Sequence, residues 1–191
     1  MLGIAGDLAV LVLTRHLPLK EALERITTER VHAQLGVLDR GLASFGIERP
    51  RLALAGLNPH AGEAGLLGDE ERRLLEPALR RARADGLRVE GPVSPDAVFL
   101  RAAAGEFDGV LALYHDQGFI PLKLIAPHRG LTVLLGLPYL RVSPAHGTAF
   151  DIAGRGTADP ENLRHALVQA ARWARVQGEA RRRSRSTAAG A

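Results

Sequence analysis

The segment DGVLALYH, residues 108–115, constrains the fold more than any other. Val110–Leu113 is apolar at every position, without the alternation of a strand wetted on one face, so it reads as a strand buried on both sides. Such a strand needs cover above and below, and the rest of the chain supplies helical patterns between further strands. VLVL (10–13), RLALAGL (51–57), LRVEGPV (87–93) and GLTVLLGLP (130–138) read as those strands. Val31, Leu35, Leu38, Leu42 and Phe45 recur at helical spacing, with Thr27 or Thr28 as cap and Gly46 as stop. Asp69 offers a second N-cap, with Glu70 and Glu71 in the first turn, then Leu74, Leu75, Ala78, Leu79 and Ala82 as a buried face before Gly86. A short helix runs from about Asp96 to Gly105. The last helix opens on Asp159, Pro160 and Glu161, and sets Leu163, Ala166, Leu167, Ala170 and Trp173 on one side. The pattern predicts an α/β fold, a largely parallel sheet sandwiched by helices (α/β/α).

Composition narrows the chemistry. The chain of 191 residues has no cysteine, which excludes disulfides and thiolate metal sites and is compatible with a cytoplasmic setting. Any metal has to bind His, Asp or Glu. The apolar run near the start lacks the basic flank of a signal peptide and is too short to cross a bilayer; residues before VLVL read as irregular chain. Four arginines and one glutamate between 178 and 191 carry most of the net charge of +4, so the basicity belongs to a tail read as disordered. No aromatic residue interleaves those arginines, which argues against a nucleic-acid arm.

Polar residues and glycines gather where strands end, the place where open α/β sheets bind ligands. His16 follows VLVL, His60 follows RLALAGL within GLNPHAGEAGLLGDEE, and His115 and Asp116 end VLALYH. Three imidazoles leaving an open position make a catalytic metal site, yet each serves equally as an ordinary core or surface histidine. The glycine-rich stretch after His60 reads either as a phosphate-binding loop or as a plain connection. HGTAFDIAGRGTADPENL (146–163), with His146, Gly147 and Asp151, reads as a nucleotide cradle or as loop packing, and does not match G-x-G-x-x-G. Lys123 and Arg141 are cations near these segments. Asp96 reads as an N-cap in competition with Ser94.

GLNPHAGE, YHDQG, LGLPYLR and HLPL, in these positions from near residue 1 to about residue 176, resemble the 4-hydroxythreonine-4-phosphate dehydrogenase family. HGTAFDIAGRGTADP also resembles the adenosine-binding loop of isocitrate and isopropylmalate dehydrogenases, whose fold that family shares. The resemblance implies NAD, or NADP, bound near His146, Gly147 and Asp151. It implies a divalent metal, zinc before magnesium, cobalt or manganese, on His16, His60 and His115. Lys123 and Arg141 then contact a phosphorylated substrate, and Asp96, Asp116 and Lys123 stand as catalytic candidates. Thr132 occupies a position where the family has Asn, which alters that contact.

The family's homodimers, with shared active sites, are implied as well. Full-length members carry a long segment before the VLVL strand, with a His-Thr pair for substrate, so the chain divides into a metal- and cofactor-binding part (1–159), a helix (160–177) expected to fold back on that absent domain, and the tail (178–191). The helix face including Trp173 is therefore expected to be exposed. A dehydrogenase of threonate or erythronate phosphate and a catalytically silent metal-binding remnant are the competing readings.

Overall fold

The computed structural model describes residues 1–189. Its elements are β1 (Leu2–Ala5), β2 (Leu8–Val12), α1 (Leu19–Glu24), α2 (Thr28–Ala43), β3 (Arg51–Ala55), α3 (Glu76–Ala84), β4 (Arg88–Val93), α4 (Val98–Ala103), β5 (Gly109–Ala112), α5 (His115–Ile125), β6 (Leu131–Leu134), β7 (Arg141–Pro144) and α6 (Glu161–Ala189). The strands form one sheet in the order β4-β3-β5-β2-β1-β6-β7. β4, β3, β5 and β2 are parallel neighbours. β1 pairs antiparallel with both β2 and β6, and β7 antiparallel with β6.

Three of the six strand pairings are thus antiparallel, yet five of the seven strands run one way, as the largely parallel sheet suggested by the sequence requires. The two that run against them are β1 and β7. Residues 2–5, read as irregular chain, fold back on β2 through a two-residue turn in which Gly6 takes φ 59°. A positive φ at the first central residue is what tight hairpins demand, and glycine supplies it without strain.

Two layers of helix cover the sheet. Leu11, Leu52, Leu54, Leu111 and Leu113 face α2 and α3, where Leu35, Leu38, Leu42 and Leu79 meet them. Val10, Val12, Ala53, Ala55, Val110 and Ala112 face the other way, toward Val98 and Phe99 of α4 and Phe119 and Leu122 of α5. Alternate residues of the same strands build both cores, as side chains two apart must. Each fully buried leucine contributes about 1.5–3 kcal/mol. The face of smaller side chains lets α5 come close: a Cβ on Gly118 would lie 2.7 Å from Val10 Cγ1. Helix starts follow the expected chemistry. Thr27 Oγ1 accepts from Arg30 N at 3.3 Å, and Asp159 Oδ1 accepts from Glu161 N at 2.9 Å.

The end of the chain departs from expectation twice. Trp173 is buried and stacks on Phe45 with ring centroids 4.6 Å apart, so α2 and its exit supply a partner for that face of α6. Leu163, Leu167 and Val168 do stand exposed. The segment from 178, read as disordered, continues α6 as far as Ala189, because alanine and arginine are strong helix formers and no proline interrupts them. Residues 190 and 191 lie outside the described residues. No described helix is long and apolar enough to cross a membrane.

Candidate active site

The four parallel strands send their carboxyl ends to one edge, and that edge carries the expected residues. β2 leads to His16, β5 to His115, β3 to His60 and β4 to Asp96. Strand order decides which of them meet. β2 and β5 are neighbours, and the rings of His16 and His115 stand 5.4 Å apart. β3 and β4 are neighbours, and His60 is close enough to Asp96 to help hold its carboxyl below the usual range, after the larger effects of the Ser94 hydroxyl and the Asp96 amide.

His115 is held on two sides. It opens α5 rather than ending the strand, stacks on Phe119 at 4.6 Å with the planes 2° apart, and places Nδ1 2.7 Å from Asp116 Oδ1. In the neutral tautomer that donates from Nδ1 to this oxygen, the lone pair stays on Nε2, the arrangement of a ligating or proton-accepting imidazole. His16, His115, Asp116 and Tyr114 border a cavity of about 310 Å³ with Arg15 at its rim. A larger one of about 610 Å³ runs between α4 and α5, shares Tyr114 and Asp116, and adds Asp96 and Gln117 to an otherwise apolar wall.

His60 is presented differently. His60, Ala61, Gly62, Glu63 and Ala64 all lie in the left-handed region, with φ between 42° and 78°. For an L-residue this costs roughly 1–2 kcal/mol each, and only a surrounding structure that over-determines it keeps it. Here that structure begins with Glu71, whose buried carboxylate accepts from Leu57 N and Asn58 N.

Within one chain the three imidazoles do not close on a common point. Among the described residues no group of three His, Asp or Glu side chains stands close enough to hold a metal ion. His16 and His115 form a pair, and His60 stands apart with Asp96. One chain alone thus does not fit a three-imidazole metal site. Lys123, in the last turn of α5, is exposed; Thr132 is half-buried on β6; Arg141 is exposed at the start of β7. None of the three borders the His16–His115 cavity. His146, Gly147 and Asp151 lie on an exposed loop, where His146 Nδ1 bonds its neighbour's carbonyl at 2.8 Å. Asn162, in the first turn of α6, is buried with its Oδ1 unpartnered, an acceptor free for a donor such as a nucleotide amino or hydroxyl group.

Three buried polar residues of the site escaped the sequence reading. Thr14 Oγ1 donates to Leu113 O at 2.9 Å and ties the exit of β2 to that of β5. Gln117 joins β5 to the residue after β3. Glu71 was read as a dipole residue at a helix start. Its spacing held the clue: it stands four before Leu75 and seven before Ala78, on the buried face.

The family described as pyridoxal phosphate biosynthetic protein PdxA matches residues 1–170. A 4-hydroxythreonine-4-phosphate dehydrogenase of Maricaulis maris is 50% identical over 175 residues, 91% of this chain and 52% of that protein. A D-threonate 4-phosphate dehydrogenase of Salmonella typhimurium is 48% identical over 163 residues, 85% of this chain and 50% of the relative. The crystal structure of a 4-hydroxythreonine-4-phosphate dehydrogenase from Klebsiella pneumoniae superposes with a TM-score of 0.81 at 43% identity, covering 90% of this chain and 53% of that one. The chain therefore spans about half the length of the relatives it matches.

Proposed function

The chain belongs to the PdxA family, and from that premise we propose that it provides the catalytic edge of an NAD-dependent cytoplasmic dehydrogenase acting on 4-phosphohydroxy-L-threonine. The observation that carries this reading is the convergence of His16, His115 and Asp116 on one cavity at the carboxyl ends of β2 and β5. Oxidation of the secondary alcohol removes a hydride from carbon and a proton from oxygen. NAD, which His146, Gly147 and Asp151 would hold, would supply the hydride acceptor. Asp116, exposed beside His115, is placed to relay the proton to solvent. The product is a 2-amino-3-oxo acid, which loses carbon dioxide to give 3-amino-2-oxopropyl phosphate. Lys123 and Arg141 are the cations offered to phosphate and carboxylate, the guanidinium in two-pronged fashion. Lys123 lies seven residues beyond Asp116 on the same helix, about 10 Å along its axis.

Two further features of the proposal concern the assembled protein. His16, His60 and His115 are the proposed ligands of a divalent metal, zinc by the softness of imidazole, with the set of three completed only in a homodimer with shared sites. The apolar cleft between α4 and α5 supports such pairing: Leu100, Ile120 and Leu124 are exposed there, and the cleft reaches Asp116. A second reading is a D-threonate 4-phosphate dehydrogenase. It is favoured by the Salmonella relative and by Thr132, a hydroxyl where an amide is expected. NADH formation by the 191-residue chain with zinc, offered each of the two phosphates in turn, tests both. Turnover of phosphohydroxythreonine alone supports the first reading, turnover of threonate 4-phosphate alone the second, and absence of both removes the activity from this chain.

A further inference from the structure

Glu71 and Gln117 are buried polar side chains that the reaction above does not use. Between them they grip three consecutive residues, Gln117 the first and Glu71 the other two. Gln117 Nε2 donates to Gly56 O at 2.7 Å, and Glu71 Oε1 accepts from Leu57 N at 2.8 Å and Asn58 N at 2.7 Å. Glu71 Oε2 accepts from Asn58 Nδ2 at 2.9 Å, and the same amide reaches Glu70 Oε2 at 2.8 Å. Glu71 is thus a buried carboxylate held by two peptide N–H groups and one side-chain amide, and no ion pair to it is found among the described residues. Charge-assisted bonds of this kind are shorter and stronger than neutral ones, and they fix the backbone that donates them. A buried charge costs desolvation, so a residue needed only for packing would be apolar here.

The grip ends one residue before Pro59 and the left-handed turn that carries His60. The turn lies against the same carboxylate: a Cβ on Gly62 would fall 2.7 Å from Glu71 Oε2. At its other end, Gln117 accepts from Leu113 N at 2.7 Å, two residues before His115. A continuous set of bonds therefore joins the His60 turn to the start of α5.

We propose that Glu71, with Gln117, is a positioning residue that holds the left-handed turn and so fixes His60 relative to His115. Only the kinetic part of its test rests on the proposed dehydrogenase activity.

The variants are Glu71→Gln, which keeps the size but puts an NH2 where an acceptor is needed, and Asn58→Ala, which removes only the amide's bonds. Amide exchange and histidine-ring NMR signals are measured on the 191-residue chain. In Glu71→Gln, exchange at Leu57, Asn58 and Ala61 rises at least tenfold while Leu79 and Val110 keep their rates. The His60 ring signals shift or broaden while those of His32 and His165 stay. In the kinetic arm, kcat falls ten- to a hundredfold, as for supporting partners of a ligating side chain, and the substitution has no further effect in a His60→Ala background. Asn58→Ala gives the same changes at smaller amplitude, and decides the matter if Glu71→Gln does not fold. Uniform acceleration of exchange across the chain, or unmoved His60 signals, overturns the proposal. Absence of turnover in the unmodified chain counts against the dehydrogenase reading, and the exchange and NMR results then decide alone.

Discussion

The parallel half of the sheet and its antiparallel half differ in how they finish their strand ends. β2, β5, β3 and β4 end in buried polar ties: Thr14 to Leu113, Gln117 to Gly56, Gly56 N to Val93 O, and Glu71 to Leu57 and Asn58. Among the described residues β1, β6 and β7 have no equivalent belt. Beyond them Leu137, Tyr139 and Phe150 are exposed, as are Arg141 and the loop of His146. One half of the molecule fixes geometry from within; the other presents groups whose geometry depends on what they meet. On the proposed reading, His16, His60, His115 and Asp116 belong to the first and Arg141 to the second, a division suited to placing reacting atoms to within fractions of an ångström while tolerating looser capture of a charged group.

Three measurements press on that contrast. The largest effect is expected from His115→Ala or His16→Ala. Each should lower kcat by about 10²–10⁴-fold, the scale of a lost proton-transfer or ligating group, with little change in melting temperature because both rings stand at the surface of a cavity. Arg141→Ala should instead act on KM for the phosphorylated substrate; an equal fall in kcat would erase the distinction between the halves. Next, Leu111→Ala should cost about 2–5 kcal/mol in urea unfolding, since Leu111 is fully buried between the helical layers. Val142→Ala on β7, only half-buried, should cost less than about 1.5 kcal/mol. Similar losses would show the antiparallel edge to be as tightly built as the centre.

The smallest effect concerns Asp108 at the start of β5. Hydrogen bonds from the Arg51 guanidinium, 2.9 Å away on β3, hold its carboxyl below the usual range. A depressed carboxyl stabilises the fold above its unfolded value of about 3.9 and loses that contribution as pH falls through the folded value. Wild-type stability should therefore drop between pH 5 and pH 3 by up to about 1 kcal/mol more than that of Asp108→Asn. Parallel losses in the two proteins would remove this pair from the balance.

Much of the frame was legible in the sequence because it depends on local spacing. Val31 to Leu42 specified α2 and its cap, Leu75 to Ala82 specified α3, and Val110 to Leu113 specified the central strand. His16, His60 and His115 were legible as strand-end residues by the same logic. What was not legible depends on contacts distant in the chain. β1 is a strand because residues 131–133 pair with it, and nothing in MLGIAG announces that partner. α5 contains Pro121, which reads as a breaker, yet the helix holds through Phe119 and Leu122 packed on the sheet. Trp173 was expected to lack a partner because the resemblance assigned its cover to the absent domain; the ring that covers it, Phe45, stands far from it in sequence. The grouping of the histidines into a pair and a single residue follows from strand order, which no spacing reveals.

The reversed winding at His60–Ala64 sets a rule of substitution for that stretch. At exposed positions with ordinary backbone angles, adding a methyl group at Cβ limits the unfolded state and costs the folded one little. Where the backbone coils against the chirality of its own residues, the preference inverts: glycine, asparagine or a mirror-image alanine at 61 or 64 relieves the turn, while valine or isoleucine crowds it. The segment is thus the place where a synthetic protein with D-residues would differ most from the natural one, and where shrinking a side chain tightens the fold instead of loosening it.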